Sequence, residues 1–221
     1  MLQNNIYNIV FSSTAAIFGN PHSDKIKENH PKAPINTYGR SKLMVENILS
    51  DYCDAKELNA VALRYFNAAG AHPEGGIGEK HCPETHLIPN ILNSINNKSI
   101  NLEIYGNDYN TSDGTCVRDY IHVNDLAVAH MLSIDFMKEN DGFSSFNLGN
   151  GDGFSVLDII KSCQRVTNTN IKYKISSRRK GDPNTLVSDS KLANEMLKWE
   201  PAYKTIDGII DTAWKWHSSL T

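Results

Sequence analysis

Apolar residues along this chain alternate between two periods. Residues 8–13 (NIVFSS) and 61–66 (VALRYF) are short β-branched and aromatic runs that end in small or polar residues, which predicts buried strands running into loops. Residues 102–105, 117–123, 145–148 and 171–175 are further extended segments. Helical spacing predicts helices over 38–58, with Leu43, Val45, Ile48, Leu49 and Tyr52 as its apolar positions, and over 88–97. Another runs from a cap at Asn124 or Asp125 to about residue 138, and Ser155 with Asp158 forms a capping box for 155–167. Two more, 190–199 and 205–218, close the chain, and residues 20–37 and 67–84 read as turn and loop. Strands alternating with helices predict an α/β fold with parallel sheet.

Composition narrows the class. With 40% hydrophobic residues in 221, the chain can build a sizeable core. A net charge of −3 with scattered cations offers no field for nucleic acid or a membrane surface. No apolar stretch reaches bilayer length, and the start lacks a basic region followed by a long apolar one. Cys53, Cys82, Cys116 and Cys163 are far apart with no CxxC pair, the pattern of free thiols in a reducing compartment, so a cytoplasmic setting is expected.

Residues 38–42 (YGRSK) put Tyr38 and Lys42 at i and i+4, on one helix face. A phenol gives up its proton reluctantly at neutral pH, and a nearby cation favours the phenolate. The same spacing also fits a solvated lysine on a helix surface. Ser12, Ser13 and Thr14 end the first strand, where doubly wound sheets place ligand contacts, although hydroxyl residues also simply end strands.

FSSTAAIFG, NTYGRSK, LRYFNAAGAHPEG, GNDYNTSDGTCVRDYIHVNDLA and FNLGNGDGFSV, in this order, resemble the UDP-glucose 4-epimerases, extended short-chain dehydrogenase/reductases. The resemblance runs from about Asn8 to Trp216 and implies NAD-dependent interconversion of UDP-glucose and UDP-galactose through oxidation and re-reduction at C4. It assigns Tyr38 as proton acceptor, Lys42 as its electrostatic partner and ribose contact, and Thr14 as hydrogen-bond partner of the 4-hydroxyl. Phe66 would contact nicotinamide; Asn67, His86 and Leu87 the sugar nucleotide; Tyr105 the uracil. Arg118 and Arg179 would clamp the diphosphate, with Asp182 near the uridine ribose. Paired guanidinium forks suit phosphate oxygens. Arg118 also fits an ion pair with Asp119 or Asp113, and Arg178 and Lys180 read as solvated neighbours of Arg179. Leu186 stands where a family tyrosine excludes N-acetylated sugars, which implies turnover of UDP-GlcNAc and UDP-GalNAc as well. A 4,6-dehydratase would need acidic residues where Ala15 and Ala16 follow Thr14.

His81, Cys82, Glu84 and His86 are possible metal ligands, but no zinc motif has their spacing, and no metal is expected. The turn GNGDG at 149–153 has its third glycine one place early for GxGxxG, and reads as a strand-to-helix turn in the smaller domain. The family's GxxGxxG turn precedes its serine strand, and here no glycine precedes Gly19. Three βα units, on the order of a hundred residues, are therefore expected to be absent. What remains is the C-terminal part of a doubly wound Rossmann-type domain (1–70, with segments around 106–135 returning to it) and a smaller α/β sugar-nucleotide domain (71–221). The strand at 8–13 would carry an exposed apolar edge. Expected partners are the UDP-hexose and either a second copy or a complementing N-terminal half. The alternative function is a catalytically inactive UDP-sugar-binding remnant.

Overall fold

The run NIVFSST forms strand β1 (Asn8–Thr14), which pairs in parallel with β2 (Asn59–Tyr65), Asn8 opposite Asn59 and Thr14 opposite Tyr65. The second neighbour of β2 is β6 (Phe143–Leu148), also parallel, giving a three-stranded sheet in the order β1-β2-β6. These details come from a computed structural model that describes residues 1–97, 101–179 and 181–220.

Period-two alternation decides what covers each face. Ile9, Phe11, Ala60 and Phe143 point to helix α1 (Thr37–Asp54), packing on its Leu49 and Cys53. Val10, Val61, Leu63 and Phe146 point the other way, onto Leu126 and Ala129 of α3 (Val123–Phe136) and Ala193 and Leu197 of α5 (Lys191–Leu197). A parallel sheet needs both faces covered, and this one is. Trp199 is fully buried on the α3 side and donates from Nε1 to the Asp125 carbonyl.

The second unit is built on β3 (Asn67–Ala69), β4 (Leu102–Tyr105), β5 (Val117–His122), β7 (Gly153–Ser155), β8 (Tyr173–Ser176) and β9 (Thr185–Leu186). Strand β5 is its hub: parallel to β3 and β9, antiparallel to β7, while β4 and β8 form a parallel pair. Helices α2 (Leu87–Asn96), α4 (Val156–Thr167) and α6 (Ile206–Ser218) bury Ile88, Ile91, Leu92, Ile159, Ile160, Ile209 and Ile210 in one core.

The expected α/β fold with parallel sheet is present, and the Ser155–Asp158 capping box forms as read. Three local expectations change, and one surface feature is new. Helix α3 is capped by His122, whose Nδ1 accepts from the Asn124 N–H, because Asp125 is turned inward to accept from Ala202 and Tyr203 N–H. Residues 67–69, read as a turn, are a strand held by the distant β5. The strand leading into GNGDG belongs to the first sheet. Finally, α1 and α3 each leave an apolar stripe exposed, Met44–Ile48–Tyr52 and Val128–Met131–Ile134. Among the described residues β1 pairs only with β2, so its outer edge is open as expected.

Candidate active site

A cleft of about 700 Å³ opens beyond the carboxyl end of the first sheet. Its lining includes Thr14 at the end of β1, Tyr38 in the first turn of α1 and Phe66 just after β2, and Asn67, Leu87, Tyr105, Arg118 and Leu186 from the second unit. His86, Arg179 and Asp182 line it as well. Eleven of the twelve site residues expected from the sequence therefore meet around one cavity, and the twelfth, Lys42, stands directly behind Tyr38.

Local backbone chemistry puts Tyr38 there. The Asn36 side chain caps α1 by accepting from Gly39 N–H at 2.7 Å. A Cβ at Gly39 would lie 2.4 Å from the Ala16 carbonyl oxygen, so only glycine lets the first turn of α1 approach the turn that follows Thr14. Tyr38 is 55% exposed toward the cleft. Lys42 donates from Nζ to the Ser12 carbonyl at 2.9 Å, with its cation 5.8 Å from the Tyr38 ring centre and 5.0 Å from that of Phe11. Thr14 Oγ1 accepts from Ala16 N–H at 3.1 Å, which leaves its own proton to donate into the cleft.

Two supporting networks had no signal in local sequence. Arg64, fully buried in β2, holds Glu46 of α1 through Nε at 3.0 Å and Nη2 at 2.8 Å. Ser13 Oγ donates to the same carboxylate at 2.6 Å, and Arg64 Nη1 reaches the Glu28 carbonyl. Burial would push the Glu46 carboxyl up, yet Arg64 and Ser13 together bring it below its ordinary range. In the second network Tyr65, also on the cleft, lies 2.8 Å from Ser12 Oγ and 2.7 Å from His130 Nε2. His130 Nδ1 donates to the Leu126 carbonyl at 2.8 Å, so Nε2 is left to accept from the Tyr65 hydroxyl. Burial pushes the Tyr65 phenol up. Only the partners' distance in sequence hid these pairings.

The phosphate-binding expectations are redrawn in detail. Arg118 pairs with Asp182 at 3.4 Å and donates to the Val117 and Pro183 carbonyls, rather than meeting Asp119 or Asp113. Asp113 is engaged by Thr115 and Ser155, and Asp119 faces the GNGDG turn. Arg179 lies 4.0 Å over the Tyr105 ring. Arg178 is not a bare solvated neighbour: it stacks 4.2 Å over Tyr109 and pairs with Asp108 at 2.6 Å. Lys180 lies outside the described residues. The GNGDG turn does hold an anion, but that anion is Asp119, which accepts from Asn150, Gly151 and Ser188 N–H at 2.9, 3.0 and 3.0 Å. Burial raises Asp119 to about 6 despite these three donors.

A sequence profile of the family described as GDP-mannose 4,6 dehydratase matches residues 2–212. The chain belongs to that family. Its relatives point within the family to epimerases, in keeping with Ala15 and Ala16 after Thr14. The UDP-glucose 4-epimerase of Lacticaseibacillus casei is 49% identical over 219 residues, 99% of this chain and 66% of that protein. The Bifidobacterium longum UDP-glucose 4-epimerase, solved in complex with NAD+ and UDP, is 38% identical with a TM-score of 0.92, over 98% of this chain and 65% of that one. The UDP-Glc/GlcNAc 4-epimerase of Campylobacter jejuni is 40% identical with a TM-score of 0.80, over 99% and 66%. The chain thus spans just under two thirds of the length of these relatives. The resemblance to UDP-glucose 4-epimerases read from the motifs stands.

Proposed function

We propose that this chain supplies the acid–base groups and the nucleotide-sugar pocket of a UDP-hexose 4-epimerase that interconverts UDP-glucose and UDP-galactose. The observation that carries the reading is that Tyr38 and Thr14 line the same cleft as Tyr105, Arg118 and Arg179. Tyr38 accepts the 4-hydroxyl proton, Lys42 behind it favours the phenolate, and Thr14 donates a hydrogen bond to the hydroxyl oxygen. Arg118 and Arg179 hold the diphosphate, Tyr105 faces the uracil, Asp182 the ribose, and Asn67, His86 and Leu87 the rest of the nucleotide sugar. Leu186, smaller than tyrosine, leaves room for an acetamido group.

NAD, when bound, supplies the hydride acceptor for C4. Lys42, Tyr38, Thr14 and Phe66 fit its nicotinamide-ribose end. A diphosphate of NAD needs a glycine-rich strand-to-helix turn with free N–H groups. Among the described residues, the glycine-rich turn at 149–153 already gives its Asn150 and Gly151 N–H groups to Asp119 and its Gly149 N–H to Ser190 Oγ. This favours a second reading for the chain taken alone, a UDP-sugar-binding unit without turnover.

The test is an epimerase assay of the purified chain with added NAD, with and without a second polypeptide carrying the part of the L. casei relative that has no counterpart in this chain. Turnover only in the mixture supports the first reading. UDP binding by calorimetry with no turnover in either arm supports the second, and neither binding nor turnover would sink both.

A further inference from the structure

Between β3 and α2, residues 79–86 (EKHCPETH) gather two glutamates and two histidines at the rim of the cleft. One ligand atom from each of Glu79, His81, Glu84 and His86 lies within 4.8 Å of the other three. Both imidazoles turn Nδ1 to the same carboxylate oxygen: His81 Nδ1 is 3.0 Å from Glu79 Oε1, and His86 Nδ1 also contacts it. His81 Nδ1 is 3.8 Å from Glu84 Oε1, and the two rings meet edge to face with centres 5.4 Å apart. Cys82, which the sequence set beside these residues, is not among the four, and Glu79 takes its place.

Three features hold the cluster in position before anything binds. Trp216 Nε1 donates to the Glu79 carbonyl at 2.8 Å, tying the start of the segment to α6. Glu84 Oε1 accepts from Thr85 and His86 N–H at 2.7 and 2.9 Å. His86 occupies the cap position of α2, so its backbone is anchored to a helix.

We propose that Glu79, His81, Glu84 and His86 form a tetrahedral site for a divalent transition metal of the zinc class. In such a site the bonds are about 2.0–2.2 Å, which puts neighbouring ligand atoms roughly 3.3–3.6 Å apart. The four atoms lie within 4.8 Å of one another, the two imidazoles closer to Glu79 than that spacing, and the exposed histidine side chains are free to turn out to it. Two imidazole nitrogens with two carboxylates suit zinc, cobalt or nickel, whereas calcium and magnesium prefer all-oxygen shells. A cation would also replace the two N–H protons that now crowd one carboxylate oxygen. Its place is structural: it would fasten the segment whose end contributes Thr85, His86 and Leu87 to the cleft wall. The proposal stands on this geometry alone and does not depend on the epimerase reading.

The experiment is titration of the EDTA-stripped, dialysed chain with Zn²⁺ by calorimetry and with Co²⁺ by visible absorption. Wild type is expected to take up one ion per chain, to show the intense absorption of four-coordinate Co²⁺, and to lose it to Zn²⁺. Since ligand loss in a four-coordinate site removes a quarter of its bonds, His81→Ala and Glu79→Gln should each weaken binding at least about tenfold. His81 is exposed, and far-ultraviolet circular dichroism is the check that its variant stays folded. His22→Ala, at the other close pair of imidazoles (with His30), should leave binding unchanged. No saturable uptake, the weak absorption of six-coordinate Co²⁺, or affinity that survives His81→Ala but falls with His22→Ala would overturn the assignment.

Discussion

Tyr38 is set by its neighbours more than by its own packing. Gly39 removes the Cβ that would strike Ala16, Asn36 caps the helix start, and Lys42 stays within reach because Ser12 offers it a carbonyl. Replacing Tyr38 by Phe keeps the ring and removes only the hydroxyl that the proposed mechanism uses as proton acceptor. In the complemented enzyme kcat is expected to fall at least 10²-fold, the lower end of general-base contributions of about 10²–10⁴. A variant with near-normal kcat would mean that the proton leaves by another route. Leu186 is the second residue-scale test. It sits on the cleft opposite Arg118 in the β5–β9 pairing, so Leu186→Tyr projects a larger ring from the same strand. The ratio of UDP-GlcNAc to UDP-glucose turnover is expected to drop at least about tenfold, as steric exclusion of one group predicts. Competition kinetics measure it, and an unchanged ratio would show that Leu186 does not border the 2-substituent.

At the scale of elements, the buried Arg64–Glu46 pair joins β2, α1 and the 20–37 loop. Neither charge has access to water, and each is matched by the other plus Ser13 and the Glu28 carbonyl. Glu46 also lies 3.8 Å from Lys32, whereas removing Glu46 leaves the Arg64 cation buried without a carboxylate partner. Glu46→Ala is therefore expected to lower stability by about 3–5 kcal/mol, read as a shift in the urea midpoint at constant slope. A loss below about 1 kcal/mol would place the pair in effective contact with solvent. The two exposed apolar stripes lie on the helices that cover the two faces of the sheet, so among the described residues the molecule presents two apolar helix stripes as well as one unpaired strand edge.

For the whole molecule, Asp119 ties the two sheets together. It comes from β5 of the second unit and accepts N–H groups from the turn that leaves β6 of the first and from Ser188. Its carboxyl titrates near 6 in the fold, above the ordinary 3.8, because it is buried. A raised folded value means that the folded state holds the proton more tightly, so this contribution is fully present below about pH 4 and is lost as pH rises to about 6. At roughly 1.4 kcal/mol per pKa unit the loss is on the order of 3 kcal/mol. The stability difference between wild type and Asp119→Asn should shrink across that window and stay constant above it. Urea unfolding from pH 4 to 8 measures this, and a difference independent of pH would mean that Asp119 is ionised throughout.

What the sequence determined by itself was local or motif-borne. Period-two and helical spacing located the long elements, since burying one face imposes those periods on any chain. The Ser155–Asp158 box needed only residues three apart. The YGRSK spacing singled out Tyr38 and Lys42 as candidates, and the resemblance carried by five ordered motifs supplied the other candidate site residues. What only the tertiary structure decided was who meets whom across the chain. His122 capping α3, residues 67–69 pairing as a strand, Arg118 turning to Asp182, and Glu79 replacing Cys82 beside the histidines all depend on partners brought in by sheet and helix packing. Local pattern cannot encode such choices: a buried polar group takes whichever partner the fold places within about 3 Å, and that distance is set by layers assembled from segments far apart in sequence.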